Sequence, residues 1–504
     1  RERFRHVLVD EFQDTNRLQY RWLKLLAGPK TVVFAVGDDD QSIYRFRGAN
    51  VGNMAEFERD FRVENVIRLE QNYRSQGHIL AAANALIANN RKRLGKNLWT
   101  AAGQGEPVRV YEAQSDGYEA AWLTEEVQSL HREGLRFADI AVLYRSNAQS
   151  RIIEHALFSN GIAYRVYGGL RFFERLEIKH ALAYLRLAAN PDDDGAFLRV
   201  VNFPARGIGA RTLEQLQDSA NAAGVSLYRA ATQLPGKAGA ALGVFARLVD
   251  VLRAETRELT LTETVEVMLE RSGLVAYYKA ERDGADRVEN LGELVNAAAA
   301  FANEAEEQGL AAFLAHAALE SGENQAAEGA DALQLMTVHS AKGLEFAAVF
   351  ITGLEEGLFP HEQSVTEDDG LEEERRLMYV AVTRARTRLY LSSAQTRMLH
   401  GQTRYNVPSR FLDEIPEDVI KRLSLRPGRG AFEEAGWVPQ PLKQARSAVP
   451  GHGFRIGQSV QHPKFGQGVI VSAEGAGADA RLQINFGREG MKWLALEYAK
   501  LTAG

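Results

Sequence analysis

The sequence predicts an α/β protein of several domains: two α/β layers, an all-helical insertion inside the second, and a small C-terminal β-barrel. Three observations predict it. Short β-branched runs followed by turn residues stand at VLV (7–9) and TVVFAV (31–36), then at IAVLY (140–144), LQLMTV (333–338), AAVFIT (347–352) and LYLSS (389–393). Continuous apolar runs of this length, separated by helical stretches, mark buried parallel strands. Between about 172 and 331 strand signals nearly vanish. After residue 452 short β runs separated by glycine-containing turns take over.

The first layer occupies 1–70, and the second is split into 71–171 and 332–425. In the intervening 172–331, Ile178, Ala181, Leu182 and Leu185 fall at helical spacing, and Leu310, Phe313, Leu314, Ala317 and Ala318 repeat the stripe. The polar stretch SGENQAAEGAD (321–331) closes it. Pro427, Pro439, Pro441 and Pro450 with scattered glycine make 426–452 a linker. QSVQH, GVIVS and RLQINF are the strands of a barrel over 453–504.

Composition sets limits on function. With 504 residues, 45% apolar and 25% charged, the chain has the balance of a globular protein of roughly three or four domains. No window approaches 18 uninterrupted apolar residues. The absence of cysteine excludes disulfides and thiolate metal sites and fits a reducing cytosol. A net charge of −6 gives no hint of nucleic-acid binding, so such a site requires a local basic and aromatic groove. The opening RERFRHV, without Met or leader, reads as the middle of a longer sequence.

The chemistry begins at HVLVDEFQDT (6–15), where Asp10 and Glu11 follow a strand and Asp14 lies four residues beyond Asp10. Carboxylates at a strand end suit Mg²⁺, which takes one or two of them plus phosphates and water, and a neighbouring Glu is placed to polarise water. A lone acidic pair is more often a solvated surface feature. GDDDQSIYRFRGA (37–49) leaves the next strand, so its head lies beside that pair. Gln41 offers an amide to a γ-phosphate or a water. Tyr44 and Phe46 alternating with Arg45 and Arg47 offer base-stacking faces and phosphate-binding guanidinia, or two core aromatics with snorkelling arginines. RLEQNYRS (68–75) adds Tyr73 and Arg74; MTVHSAKGLEF (336–346) adds His339, Lys342 and Glu345. EEERRLMYVAVTRAR (372–386) is a charged helix start leading to Arg384, placed as an arginine finger would be. Arg386 and Arg388 read as surface charges.

Taken in order, DEFQDT, GDDDQSIYRFRGA, LEQNYRS, TVHSAKGLEF and EEERRLMYVAVTRA resemble successive motifs of the UvrD/Rep/PcrA group of superfamily 1 DNA helicases, its UvrD branch most. LYRSNAQSR (143–151), YGGLRFFER (167–175) and the C-terminal barrel extend the likeness over essentially the whole chain. The resemblance implies RecA-like P-loop NTPase domains, the first incomplete, and a Tudor/SH3-like barrel. It implies an ATP-dependent 3′→5′ helicase acting on single-stranded DNA and single-strand/duplex junctions, with ATP and Mg²⁺ as cofactors. Asp10 would then hold Mg²⁺, Glu11 would be the catalytic base, and Gln41 would couple the γ-phosphate to DNA. Tyr73 would stack on adenine, Arg74 and Arg384 would stabilise the transferred phosphoryl group, and Glu345 would touch the ribose. His339 would relay between nucleotide and DNA, unless it is simply a packed strand-end histidine.

On the DNA side the likeness implies Tyr44, Phe46 and Arg47, with Phe46 standing where the family often has Trp. His361 in GLFPH and His400 in RMLHG match stacking positions, the latter in place of a more usual Phe or Tyr. Arg145 and Thr337 are further phosphate contacts by the same likeness. Gly207, Ile208 and Gly209 in RGIGART open a helix whose N–H groups suit a duplex phosphate, or form an ordinary helix start. The tail would contact RNA polymerase, with excision and mismatch repair proteins as further partners, in a bacterial cytoplasm.

One departure matters. No G-x-x-x-x-G-K-[ST] run occurs in the chain, and GPKT (28–31) lacks the preceding glycine loop. The expectation is therefore an N-terminally truncated helicase without ATPase of its own. A RecB-like nuclease subunit is disfavoured by the glycine-rich tail, and a non-catalytic DNA or RNA polymerase adaptor that lost its ATP site remains the alternative.

Overall fold

The computed structural model describes residues 4–282, 284–304, 309–322, 329–399, 402–423, 454–474, 481–486, 490–496 and 499–503. The expected linker over 426–452 and His400 lie outside the described residues.

Near the N-terminus two parallel strands, β1 (His6–Val9) and β2 (Val32–Ala35), pair from His6–Val32 to Val9–Ala35. Helix Arg17–Leu26 starts at a capping box of Asn16 and Gln19 and, with helix Gly52–Asp60, covers one face. There Val7, Val9, Val33 and Ala35 meet Phe12, Tyr20, Leu23 and Phe57. The apolar runs predicted strands buried on both sides; within these 504 residues Leu8, Val32 and Phe34 are 77%, 59% and 55% exposed. Helices cover only one side of this pair among the described residues, so alternate side chains meet solvent.

The large sheet contains β3 (Val108–Ser115), β4 (Ile140–Tyr144), β5 (Tyr164–Val166), β6 (Leu333–Thr337), β7 (Phe346–Ile351), β8 (Ala385–Leu399), β9 (Gln402–Tyr405) and β10 (Ile420–Leu423). Its order is β10-β3-β8-β7-β4-β6-β5, parallel throughout, with β9 folding back antiparallel on β8. Helices Gly77–Ile87 and Gly370–Val382 pack on one face and helices Asp116–Arg132 and Ser150–Ser159 on the other. The pleat of β4 serves both layers: Ala141 and Leu143 enter one core, and Ile140, Val142 and Tyr144 the other. Because β6 and β7 are parallel, residues 338–345 must cross from one sheet edge to the other. His339 therefore lies at the edge where strands end, and Glu345 at the edge where they begin.

From Leu176 to Gly322 the described residues form helices and no strand. Their separate core includes Tyr184, Phe197, Phe245, Val249, Met268, Tyr278 and Phe313. Ile178, Ala181, Leu185, Phe313 and Ala317 are buried as their spacing predicts, but Ala318 is exposed. The C-terminal strands β11 (Ser459–His462), β12 (Gly466–Glu474), β13 (Arg481–Asn485), β14 (Met491–Ala495) and β15 (Thr502–Ala503) form an antiparallel sheet ordered β14-β13-β12-β11-β15. A register shift between Ile470 and Ser472 helps curl it around Val460, Ile470, Leu482, Ile484 and Phe486. The sequence predicted a barrel; the sheet is curled, and among the described residues β14 and β15 do not pair.

Candidate functional site

β1 ends in a turn at Glu11, which sits in the left-handed region with φ of 49°. A non-glycine residue held there stores local strain, which functional sites tolerate more than surfaces do. The turn presents Asp10 and Glu11 to solvent. Glu11 N–H donates to Asp10 Oδ1 at 2.9 Å, and Gln13 Nε2 donates to Glu11 Oε2 at 2.6 Å. Parallel β2 delivers the next loop to the same edge, where Gln41 Nε2 donates to Asp38 Oδ2 at 2.6 Å.

Lys342 joins this edge to the large sheet. Its side chain is 7% exposed, and Nζ lies 2.6 Å from Asp14 Oδ2 and 3.5 Å from Glu11 Oε2. It also donates to the Gln41 carbonyl at 2.8 Å. Burial raises the Asp14 carboxyl above its ordinary range, and the Lys342 ammonium offsets only part of that. Sequence reasoning noted Lys342 without giving it a role; its position midway along the 338–345 crossover was the available signal.

A second group gathers where β7 and β8 begin. Arg74 Nε donates to Glu345 Oε2 at 2.5 Å, and Nη1 reaches the Thr383 carbonyl at 3.5 Å. Arg384 is 1% exposed and donates to the carbonyls of Val380 (2.9 Å) and Leu344 (3.1 Å) and to Thr383 Oγ1 (3.1 Å). It has no carboxylate partner in an ion pair among the described residues. Burial, then the Arg74 charge, lowers its pKa to about 10. The Arg74 hydrogen bond holds the Glu345 carboxyl below its ordinary value. Tyr73 is 85% exposed, and its hydroxyl donates to Gln71 Oε1 at 3.0 Å.

The third group lies nearer the opposite edge. A 3₁₀ turn over Arg45–Arg47, closed by Gly48 at φ 87°, sets Tyr44 and Phe46 6.0 Å apart. Phe46 is 63% exposed and meets the His339 ring edge-on at 5.4 Å. Arg47 lies over both aromatic rings, at 5.3 Å and 5.4 Å. Half-buried His339 has a pKa of about 4, lowered first by burial and then by the Arg145 charge. Folding thus favours its neutral form. Its contribution is complete above the ordinary value of 6.5 and declines as pH falls toward 4. Histidine NMR titration should find His339 neutral at pH 6; a midpoint near 6.5 would contradict this environment.

Arg145 was expected as a phosphate contact, but its Nε and Nη2 are engaged by Glu374, the latter at 2.8 Å. Glu374 also accepts the His361 N–H at 3.1 Å, while His361 Nε2 lies 3.4 Å from Glu289 on helix Ala285–Glu304. Thr337 ends β6 with its hydroxyl 3.0 Å from Ser340 Oγ. Gly207 has φ of 74° and Gly209 caps helix Ala210–Ala223. Ile208, however, is 2% exposed and gives its N–H to Asn202. The two glycines leave the turn open while the isoleucine anchors it. The Gly207–Gly209 turn belongs to the helical region, apart from the three groups above.

Sequence reasoning also missed a clasp between the two layers. Arg93 is bidentate to Asp40 at 2.8 and 2.7 Å, Leu94 N–H donates to Asp39 at 2.7 Å, and Lys96 pairs with Asp38. The complementary DDD (38–40) and RKRLGK (91–96) runs carried the signal.

Residues 67–396 match the UvrD-like helicase C-terminal domain, 1–62 the UvrD/REP helicase N-terminal domain, and 456–502 the PcrA/UvrD tudor domain. The chain is 48% identical to DNA helicase II of Escherichia coli (strain K12) over 518 residues, covering 100% of this chain and 71% of that protein. It is 47% identical to DNA helicase II of Haemophilus influenzae, covering 99% and 70%. Identity to ATP-dependent DNA helicase PcrA of Bacillus subtilis is 41%, covering 96% and 68%.

Proposed function

Because this chain belongs to the UvrD/PcrA family of DNA helicases, we propose that it supplies the water-activating and DNA-gripping parts of an ATP-driven 3′→5′ helicase. In this reading 1–70 is the C-terminal part of a first RecA-like motor domain. Residues 71–171 and 332–425 form the second, 172–331 a helical insertion, and 453–504 a Tudor-like tail.

The buried Arg384 guanidinium carries the reading. A buried guanidinium bonded only to neutral oxygens is unfavourable; Glu345 and Asp38 offset part of that cost, and a transferred phosphoryl group would pair with it directly. The donor set fits Mg²⁺ and the distal phosphates: Asp10 is an exposed strand-end carboxylate of the kind Mg²⁺ takes. Bound Mg²⁺–ATP would supply a cleavable phosphoanhydride. Asp10 would hold the cation and Glu11 would accept the proton of the attacking water. Gln41 senses the terminal phosphate through an amide that Asp38 now holds. Arg74 and Arg384 would stabilise the developing charge, Tyr73 would offer its exposed ring to adenine, and Glu345, beside Arg74, would meet the ribose. Through Lys342, movement at the Asp14 edge passes to the crossover carrying His339, and thence to Phe46.

Tyr44, Phe46, Arg47, Thr337, His361 and His400 form the single-strand path, with Arg145 positioning it from its Glu374 ion pair. Gly207–Gly209 face the duplex. The tail reads as a contact for RNA polymerase, and binding of the polymerase by the whole chain but not by a chain ending at 425 tests that.

The 504 residues contain no glycine–lysine phosphate cradle, so the chain by itself should release no phosphate from ATP above background, with or without oligo(dT). A DNA-stimulated ATPase would contradict this. Phe46→Ala should weaken binding of labelled oligo(dT) roughly tenfold, as expected for a stacked base worth about 1–3 kcal/mol. Unchanged fluorescence anisotropy curves would remove Phe46 from the DNA site.

A further inference from the structure

Where the last helix of the helical region meets the α/β layer, two imidazoles converge on one carboxylate. His316 and Glu320 stand four residues apart on helix Leu310–Gly322, on the same face. His155 comes from helix Ser150–Ser159. His155 Nδ1 lies 2.5 Å and His316 Nε2 2.9 Å from the same Glu320 Oε1. The Glu320 side chain is 8% exposed, and those of His155 and His316 are 19% and 27% exposed. The potential ligand atoms of the three residues all lie within 4.8 Å of one another.

We propose that His155, His316 and Glu320 form a three-ligand site for a zinc-class divalent cation, which fastens the helical region to the α/β layer. Two imidazoles and one carboxylate are a recurrent zinc donor set, leaving a fourth position for water. Metal–ligand bonds of about 2.0–2.2 Å in tetrahedral array separate ligand atoms by about 3.3 Å. The two nitrogen–oxygen separations of 2.5 and 2.9 Å need to open by less than about 1 Å to admit the ion. The nearby cations are already matched, Arg151 by Glu293 at 2.5 Å and Arg171 by Glu174 at 3.2 Å. Arg171 further donates to the Ser321 carbonyl at 2.5 Å, holding the end of the ligand-bearing helix. A carboxylate buried at this junction is satisfied by two hydrogen bonds without metal; the convergence of both ring nitrogens on one oxygen from two separate helices is what a cation would use.

The chain lacks cysteine, so zinc binding has no thiolate background. The test uses the whole chain, purified without a polyhistidine tag and stripped with chelator, in equilibrium dialysis against Zn²⁺ alone. One equivalent should bind at micromolar or lower free Zn²⁺, and Co²⁺ should give a tetrahedral d–d absorption band. Zn²⁺ should also raise the melting temperature. His316→Ala and Glu320→Gln should weaken binding at least tenfold and abolish the band. His155→Gln, a milder change, should do the same with an unaltered circular dichroism spectrum. No stoichiometric binding by the unmodified chain, or equal affinity in the variants, would overturn the proposal.

Discussion

Glu374→Ala should destabilise the chain by about 3 kcal/mol and weaken its hold on single-stranded DNA, although Glu374 lies in a run that reads only as a charged helix start. Its side chain is 4% exposed, while that of Arg145 is 19% exposed. Burial, the largest single influence, would raise the Glu374 carboxyl, but Arg145 together with the His361 N–H and Ser364 outweighs it and holds the group below its ordinary value. Removing one partner of such a pair leaves a buried charge uncompensated, which costs about 3–5 kcal/mol, and the partial exposure of Arg145 favours the lower end. The same change removes the acceptor for the His361 N–H, freeing the loop that presents the His361 ring. Denaturant unfolding measures the first effect and anisotropy with oligo(dT) the second. Glu374→Met combined with Arg145→Met should recover most of the loss, since two apolar residues leave no orphaned charge. Additive losses in the double variant would place the effect elsewhere than the pair.

That run shows where sequence reasoning stopped. Four strands of the large sheet, β4, β6, β7 and β8, were legible because strands covered by helices on both faces must be continuously apolar. By contrast, β3, β5, β9 and β10 carry charged or polar residues within the strand and were not read. The helical region was legible from its 3.6-residue spacing. Helix Gly370–Val382 defeats both signals, because it buries Glu374, Arg375 and Arg376. Arg375 is neutralised by Glu414 at 2.7 Å and also bonds Asn90. Such partners lie far off along the chain, and periodicity carries no information about them. The Arg145 partner was illegible for the same reason, since its carboxylate stands 229 residues away. The motifs themselves were legible as chemistry. Which of them meet depended on Lys342 and on the 338–345 crossover.

The central claim is that Glu11 activates water at the end of β1 while a separate aromatic and cationic face grips DNA. Glu11→Gln isolates the two. The Glu11 side chain is 60% exposed, so the change should leave stability within about 0.5 kcal/mol. The measurement compares DNA-stimulated ATP hydrolysis and unwinding in a helicase carrying these residues behind a phosphate-cradling segment, with and without Glu11→Gln. Loss of the base should lower kcat at least about 100-fold and abolish unwinding, with affinity for single-stranded DNA unchanged. Unimpaired hydrolysis and unwinding in the Gln variant would contradict the account.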